Sequence, residues 1–420
     1  MQRLTITRLG AAGDGIVETS SGQLYVPGAL PGETVAARPA TRDRAELVAV
    51  EAPSPDRVAP PCSHFLEGCG GCALQHWAMP AQSAWKRARL AEALARAGYP
   101  DAPVAEAAET PPNARRRADF ALRRQPDGSV VVGFHPRESK DILDLRECHV
   151  LRPEVFALVA PLRALLRRLP ALGKEGSAVV NLLDSGPDLL LRTDRDLDAS
   201  GRRLIAAFAA SLDLKRVAWA RGEGLTENAA QTGPVRLVLA GAEVAPPPGA
   251  FLQPSREGEA AIQAAVLAGL PTRRPARPRF LDLYAGIGTL SFPLSAHGRV
   301  TAVEGAADAV AALDAASRKA GGRVEAVRRD LARQPLLPAE LKPFAAVVLD
   351  PPYAGAAEQV AQIARSEVGR VVYVSCNPVA LARDAAALRQ AGFTVLAATP
   401  VDQFRWSTHL ESVVVFDRAR

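Results

Sequence analysis

From Gly249 onward the chain alternates short apolar runs with Ala-, Leu- and Arg-rich stretches. No other feature constrains the fold as tightly. A helical stretch over 256–270 precedes apolar runs at 280–283, 300–303, 345–349, 371–374, 394–397 and 412–416. Runs this short, separated by helix-length segments, predict an open, mostly parallel α/β sheet with a ligand crevice at the strand ends. The break before it is Ala245-Pro246-Pro247-Pro248-Gly249, which ends a preceding unit.

The front of the chain reads differently. Five strand-like segments in residues 1–52, separated by Gly and Pro turns, predict a small closed barrel of the OB type. A Pro-rich connector over 53–61 follows. A helix is expected over 85–97, with Trp85, Leu90 and Leu94 on one face and Gly98 after its end. The expected division is therefore 1–52, 53–248 and 249–420. The helix over 85–97 is expected to be able to pack on the last unit.

Charge is a weak guide. The net charge of +6 invites a nucleic-acid reading, but residues 1–150 hold 18 basic and 18 acidic residues, so no basic tail exists. Arg115, Arg116, Arg117, Arg123 and Arg124 do cluster around a strand-like segment containing Phe120. Arginines in that density suit phosphate clamping, or the guarding of an exposed sheet edge. No apolar run approaches the ~18 residues of a membrane span, and residues 1–10 lack the apolar stretch of a signal peptide. The cytoplasm is the expected compartment, and a monomer with no protein partner the expected state.

Three motifs fall at predicted strand ends. Asp282-Leu283-Tyr284-Ala285-Gly286-Ile287-Gly288 closes one strand and opens a helix, where glycines admit a ligand close to the backbone. Glu304 ends the next strand, where a carboxylate can take ribose hydroxyls. Position 291 is Ser, not the third glycine of a dinucleotide fingerprint, which tilts the pocket toward S-adenosylmethionine. Asp330 is either an adenine neighbour or a helix cap. Asp350-Pro351-Pro352-Tyr353 and Ser375-Cys376-Asn377-Pro378 follow two apolar strands. Cys376 before a helix N-terminus is expected to have a lowered thiol pKa. Glu411, at the start of the last strand, is either a general base or a rim carboxylate.

The other four of the five cysteines are Cys62, Cys69, Cys72 and Cys148. Four soft ligands suit zinc or an iron–sulfur cluster, and spacing alone does not choose between them.

These motifs, with Phe251-Leu252-Gln253 and Thr408-His409-Leu410-Glu411, occur in the order found in the RNA uracil-5-methyltransferases, a family the whole chain resembles. The first fifty residues, including Val26 to Glu33, look like that family's TRAM barrel. The resemblance implies a Rossmann-like methyltransferase unit using S-adenosylmethionine, with Cys376 as nucleophile and Glu411 as the base that removes the C5 proton. It places Gln253, Tyr284, Gly286, Glu304 and Asp350 at the cofactor, and Phe251 and Asp350 near the uracil. Arg115 and Arg117 become RNA contacts, and Cys62, Cys69, Cys72 and Cys148 become ligands of a [4Fe–4S] cluster. The branch with barrel and cluster makes 23S ribosomal RNA the expected substrate. Two alternatives remain. Asp-Pro-Pro-Tyr is also a signature of amino-group nucleic-acid methyltransferases, a reading that gives Cys376 and Glu411 no role. A non-catalytic RNA-binding iron–sulfur protein is the other.

Overall fold

A computed structural model of the chain describes residues 1–20, 22–273 and 275–418. The alternation after Gly249 folds as a mixed α/β layer built on an eight-stranded sheet. Its order is Val324–Arg328, Arg299–Glu304, Arg279–Leu283, Ala346–Leu349, Arg370–Ser375, Glu411–Arg418, Phe393–Asp402 and Ala108–Glu109. The first five strands are parallel, and Glu411–Arg418 is antiparallel to both neighbours. Every residue of Ala346–Leu349 is buried. A strand covered by helices on both faces reads as such a continuous apolar run.

The reversed strand matters for the site. Its first residue, Glu411, comes to the edge where the parallel strands end. Ser412 pairs with Ser375 and Glu411 pairs with Val401. Glu411 therefore lies across from Cys376, the residue after Ser375.

The far edge of this sheet comes from early in the chain. Helix Met79–Arg96 buries Leu90, Ala93 and Leu94, and Leu90 and Leu94 share an apolar cluster with Leu381, Ala385 and Leu388 of helix Pro378–Gln390. Tyr99 Oη donates to the Phe393 carbonyl at 3.0 Å, and Ala108–Glu109 pairs with Val401 and Asp402. Trp85, expected on the Leu90 face, lies on the adjacent stripe, its ring centroid 6.0 Å from that of Trp77. The positions one and two turns before Leu90 are instead buried polar residues, Lys86 and Gln82.

Lys86 is wholly buried and donates from Nζ to Asp402 Oδ1 at 2.5 Å and to the Phe404 carbonyl at 3.1 Å. Burial pulls the Lys86 pKa down, against the opposing pull of the Asp402 charge. Lys86→Met removes the ion-pair partner of the buried Asp402, and is expected to cost about 3–5 kcal/mol. The urea midpoint at constant m-value measures the loss.

The first fifty residues form six strands in two three-stranded antiparallel sheets, one more strand than expected because Arg8–Leu9 is separate from Gln2–Thr5. An isolated bridge between Tyr25 and Arg44 links the two sheets, and Ile6, Val26 and Val35 fill the core between them. A separate seven-stranded sheet contains Arg117–Arg124 and Glu175–Leu183. The Pro-rich stretch is anchored to it. Arg216, paired with Asp188, donates to the Pro246 carbonyl at 2.9 Å, and Asn181 Nδ2 donates to the Ala250 carbonyl at 2.8 Å.

A seam joins the first lobe, the cysteine loop and the segment before Glu411. The Ala73 and Leu74 amides both donate to the Trp406 carbonyl, at 2.7 and 2.9 Å. Trp406 has a positive φ of 59°, an αL conformation unfavourable for a bulky side chain. A Cβ on Gly13 would sit 2.9 Å from the Thr408 methyl, so the first lobe approaches this segment closely. No helix among the described residues is long and apolar enough to cross a membrane.

Candidate active site at the strand ends

Two concavities meet at the carboxyl edge of the large sheet. The first, of about 490 Å³, is lined by the Asp282–Ile287 turn, Glu304, Asp308, Asp350 and the linker residues Pro247 to Gly249. The turn carries three positive φ angles, at Tyr284 (64°), Gly286 (55°) and Gly288 (97°). At Gly288 a Cβ would lie 2.7 Å from the Phe292 ring; only glycine fits there. Glu304 accepts from the Gly286 amide at 3.0 Å and the Ala306 amide at 2.8 Å, which fixes its carboxylate at the rim. Gln253 and Tyr284 also line this space. Asp330 does not. It is exposed, and its Oδ1 accepts from the Ala332 and Arg333 amides at 3.1 and 3.3 Å, closing a turn; no helix begins there among the described residues.

The acids at the back of this cavity are unusual. Asp282 is fully buried. Burial, with help from the nearby Asp350 and Glu304 charges, pushes its pKa up to about 7 even though Ser291 Oγ donates to it. Burial also pushes Asp350 up to about 7. Glu411 is raised well above the usual carboxylate range, first by burial and then by the Asp350 charge. Cys376 behaves contrary to expectation. The helix does begin beside it, at Pro378 with Asn377 as cap. Yet burial, followed by the Glu411 and Asp350 charges, lifts the thiol to about 11. Desolvation and two carboxylates outweigh one helix terminus.

A hydrogen-bonded chain spans these groups. Gln253 Nε2 donates to Asp350 Oδ2 at 3.3 Å. Gln403 Nε2 donates to Gln253 Oε1 at 2.8 Å and to Glu411 Oε2 at 3.1 Å.

The second concavity, a groove of about 1020 Å³, has Cys376, Tyr353 and His409 in one wall and Cys62, Cys69, Cys72 and Cys148 in another. Arg115 and Arg117 also line it. Phe251 is 65% exposed and lines the first cavity. With the Arg117 guanidinium 5.8 Å from its ring centroid, it stands where the two spaces join. The other arginines of the cluster do not face this groove. Arg116 is buried, with its Nε on the Gln253 carbonyl and an ion pair to Glu259. Arg124 donates to the Leu166, Arg167 and Leu169 carbonyls, satisfying the end of helix Val159–Arg168. Arg123 pairs with Glu175. Phe120 is fully buried and unavailable for stacking. The density of arginines in the sequence thus overstated the number free to meet phosphate.

The four groove cysteines are all free thiols. Backbone amides of His64 and Phe65 face Cys62, that of Gly71 faces Cys69, and those of Val150 and Leu151 face Cys148. Gly70 is obligatory here, since a Cβ would sit 2.5 Å from the His135 carbonyl oxygen. His64 is buried and accepts from the Arg146 amide at 2.9 Å, and Glu147 accepts from the Ser63 amide at 2.7 Å. These bonds tie the segment before Cys148 to the loop carrying the other three cysteines. His76 is likewise buried, against Phe65. Among the described residues, no three His, Cys, Asp or Glu side chains are arranged to hold a metal ion.

Comparison with known proteins decides the family. The profile of the family described as tRNA (Uracil-5-)-methyltransferase matches residues 80–419. The chain belongs to this family. An uncharacterized RNA methyltransferase of Brucella suis is 41% identical, covering 100% of this chain and 98% of the relative. The 23S rRNA (uracil(1939)-C(5))-methyltransferase RlmD of Halomonas elongata is 36% identical, covering 99% of this chain and 89% of the relative. In fold, the chain is similar to the Pyrococcus abyssi tRNA (uracil-54, C5)-methyltransferase solved with S-adenosyl-L-homocysteine. That match has a TM-score of 0.74 at 20% identity and covers 99% of each chain.

As an RNA (uracil-5-)-methyltransferase, the protein is an enzyme that modifies a ring carbon, so the amino-group reading of Asp-Pro-Pro-Tyr and the non-catalytic reading are both set aside. Two residues of this methyltransferase site escaped the sequence reading. Gln403 lies just past a strand end with no motif of its own. Asp282 was legible only as part of a turn. The buried acid has a measurable consequence. A carboxyl whose folded pKa exceeds its unfolded value binds its proton more tightly in the native state, so it stabilises below about 4 and that contribution is lost as pH rises through about 7. Asp282→Asn is expected to gain stability over wild type from pH 5 to pH 8, with the gap widening across that window. Paired urea titrations at each pH measure it.

Proposed function

We propose that this methyltransferase converts a uridine of 23S ribosomal RNA to 5-methyluridine, with S-adenosylmethionine as methyl donor, through a covalent bond between Cys376 and uracil C6. The observation that carries the reading is the placement of Cys376 across from Glu411 on paired strands, where the glycine-turn cavity meets the arginine-lined groove. Uracil C5 is too poor a nucleophile to take a methyl group unaided. Addition of sulfur at C6 turns the ring into an enolate whose C5 is nucleophilic. The methyl donor supplies an electrophilic carbon on sulfonium.

The remaining steps belong to the chain. The Cys376 thiol is protonated at neutral pH, so its proton leaves as the carbon–sulfur bond forms. Glu411 and Asp350 are the carboxylates whose charges reach it; we assign that proton to Asp350 and keep Glu411 for the later one. After methyl transfer Glu411 takes the C5 proton, and the C–S electrons return to Cys376 as the C5–C6 double bond reforms. Gln253, Tyr284, Gly286, Glu304 and Asp350 hold the donor. Phe251 meets the target base, which must leave its stack to reach the site, while Arg115 and Arg117 hold its phosphates.

Cys62, Cys69, Cys72 and Cys148, which line one groove, are the four thiols we assign to a [4Fe–4S] cluster. The amides facing three of the sulfurs are the donors a thiolate cluster uses. Burial raises all four thiols, Cys72 to about 12, and iron held by them would supply the positive charge that lets them ionise. The first lobe is the TRAM barrel of a cytoplasmic monomer, with units at 1–52, 53–248 and 249–420. The ribosomal target draws support from the Halomonas relative. Incubation with S-adenosylmethionine and either a 23S rRNA fragment or a tRNA transcript tests it. Mapped 5-methyluridine is expected in the ribosomal fragment alone, and modification of tRNA alone rejects the assignment.

A further inference from the structure

We propose that Gln403 is a positioning residue that holds Glu411 as a proton acceptor and couples it to the amide of Gln253 on the donor side. This rests on the mechanism above, in which Glu411 removes the C5 proton. Gln403 is buried at 4% exposure, between Gln253 at 3% and Glu411 at 4%. Its Nε2 reaches two oxygens, Gln253 Oε1 at 2.8 Å and Glu411 Oε2 at 3.1 Å. The orientation of the amide is fixed by its partners. Gln253 already donates its Nε2 to Asp350, so it presents its oxygen to Gln403, and only the NH2 end of Gln403 can satisfy both neighbours. Gln403 Oε1 is left buried without a partner. The side chain therefore accepts an unsatisfied atom of its own in order to give both hydrogens to Gln253 and Glu411.

The backbone accommodates this placement. Gln403 follows strand Phe393–Asp402, and Val401 pairs with Glu411, which brings the side chain back alongside the first residue of the neighbouring strand. Gly258, in the first turn of helix Arg256–Ala268, leaves the space. A Cβ there would be 2.5 Å from Gln403 Cβ and 2.7 Å from its Oε1.

The chemical consequence concerns Glu411. Cys376 lies across the strand pair from it and Asp350 follows Ala346–Leu349, one strand further along the sheet, and burial and Asp350 oppose its ionisation while the Gln403 hydrogen bond favours it. Donation to Oε2 stabilises the carboxylate and leaves Oε1 to meet the C5 proton. Without Gln403 the proton is held more tightly. The ascending limb of the pH–rate profile then moves to higher pH, because the base must be ionised to act.

Gln403→Met and Gln403→Asn, which shortens the donor's reach, test this on the full-length enzyme. Both are expected to lower kcat roughly 10- to 100-fold, to leave KM for RNA within about twofold, and to move the ascending limb upward. With RNA carrying 5-fluorouridine at the target, both are expected to form the methylated covalent adduct as fast as wild type, because fluorine at C5 stalls the reaction before proton removal. An unshifted pH profile, or adduct formation that slows in parallel with turnover, overturns the proposal while leaving the covalent mechanism standing. Absence of any adduct in wild type overturns both.

Discussion

Cys376→Ala is expected to lower methylation by roughly 10⁴-fold or more, the scale of removing a covalent nucleophile, and to form no adduct with 5-fluorouridine RNA. No other thiol can replace it. The remaining four cysteines line the same groove and are the ones assigned to the cluster, and none of them follows the strand end across from Glu411. The loss should reside in kcat, since Phe251, Arg115 and Arg117, the residues proposed to meet RNA, are unchanged, and filter binding with the variant measures this directly. The raised thiol pKa of about 11 adds a second readout. A protonated thiol is a poor nucleophile, so iodoacetamide should label Cys376 slowly at neutral pH and faster as pH rises toward 11. Rapid labelling at pH 7, suppressed in Cys376→Ala, would show that the resting enzyme already holds a thiolate and would sink the proton transfer assigned to Asp350.

Glu411→Gln is expected to fail at the other end of the reaction. The amide cannot accept the C5 proton, so turnover falls by about 10²–10⁴-fold while the earlier steps proceed. Methylated RNA then stays attached to Cys376 and migrates with the protein on a denaturing gel, even with ordinary uridine at the target. The same substitution removes a buried acid whose ionisation is opposed by Asp350, so loss of activity through unfolding is not expected; thermal melts at pH 8 check this. A Glu411→Gln variant that turns over at the wild-type rate would assign the proton to another base.

The sequence disclosed those groups whose chemistry depends on position along a strand. Asp350, Cys376 and Glu411 each sit just beyond or at the start of an apolar run, and the alternation of runs was enough to bring them to one edge. Groups whose roles depend on distant partners were hidden. Lys86 belongs to an exposed-looking helical stretch until Asp402, 316 residues later, meets it. Arg116 and Arg124 look like Arg115 and Arg117, and only tertiary packing turns the first two inward. The thiol of Cys376 was misjudged for a related reason. A helix N-terminus is a local feature, whereas desolvation and the facing carboxylates come from the folded surroundings.

The early segment at the sheet edge ties the birth of the enzyme to its activity. Residues 79–109 leave the ribosome long before 393–402, yet Leu90, Tyr99 and Ala108 find their places only against those later residues and the helix before them. Contacts of such sequence separation close late. Until they do, the nascent chain carries an uncovered apolar helix face, the kind of surface on which chaperones act. The last strand, which joins Phe393–Asp402 and its early partner to the rest of the sheet, begins with Glu411, so a chain terminated before it lacks both that junction and the proposed base.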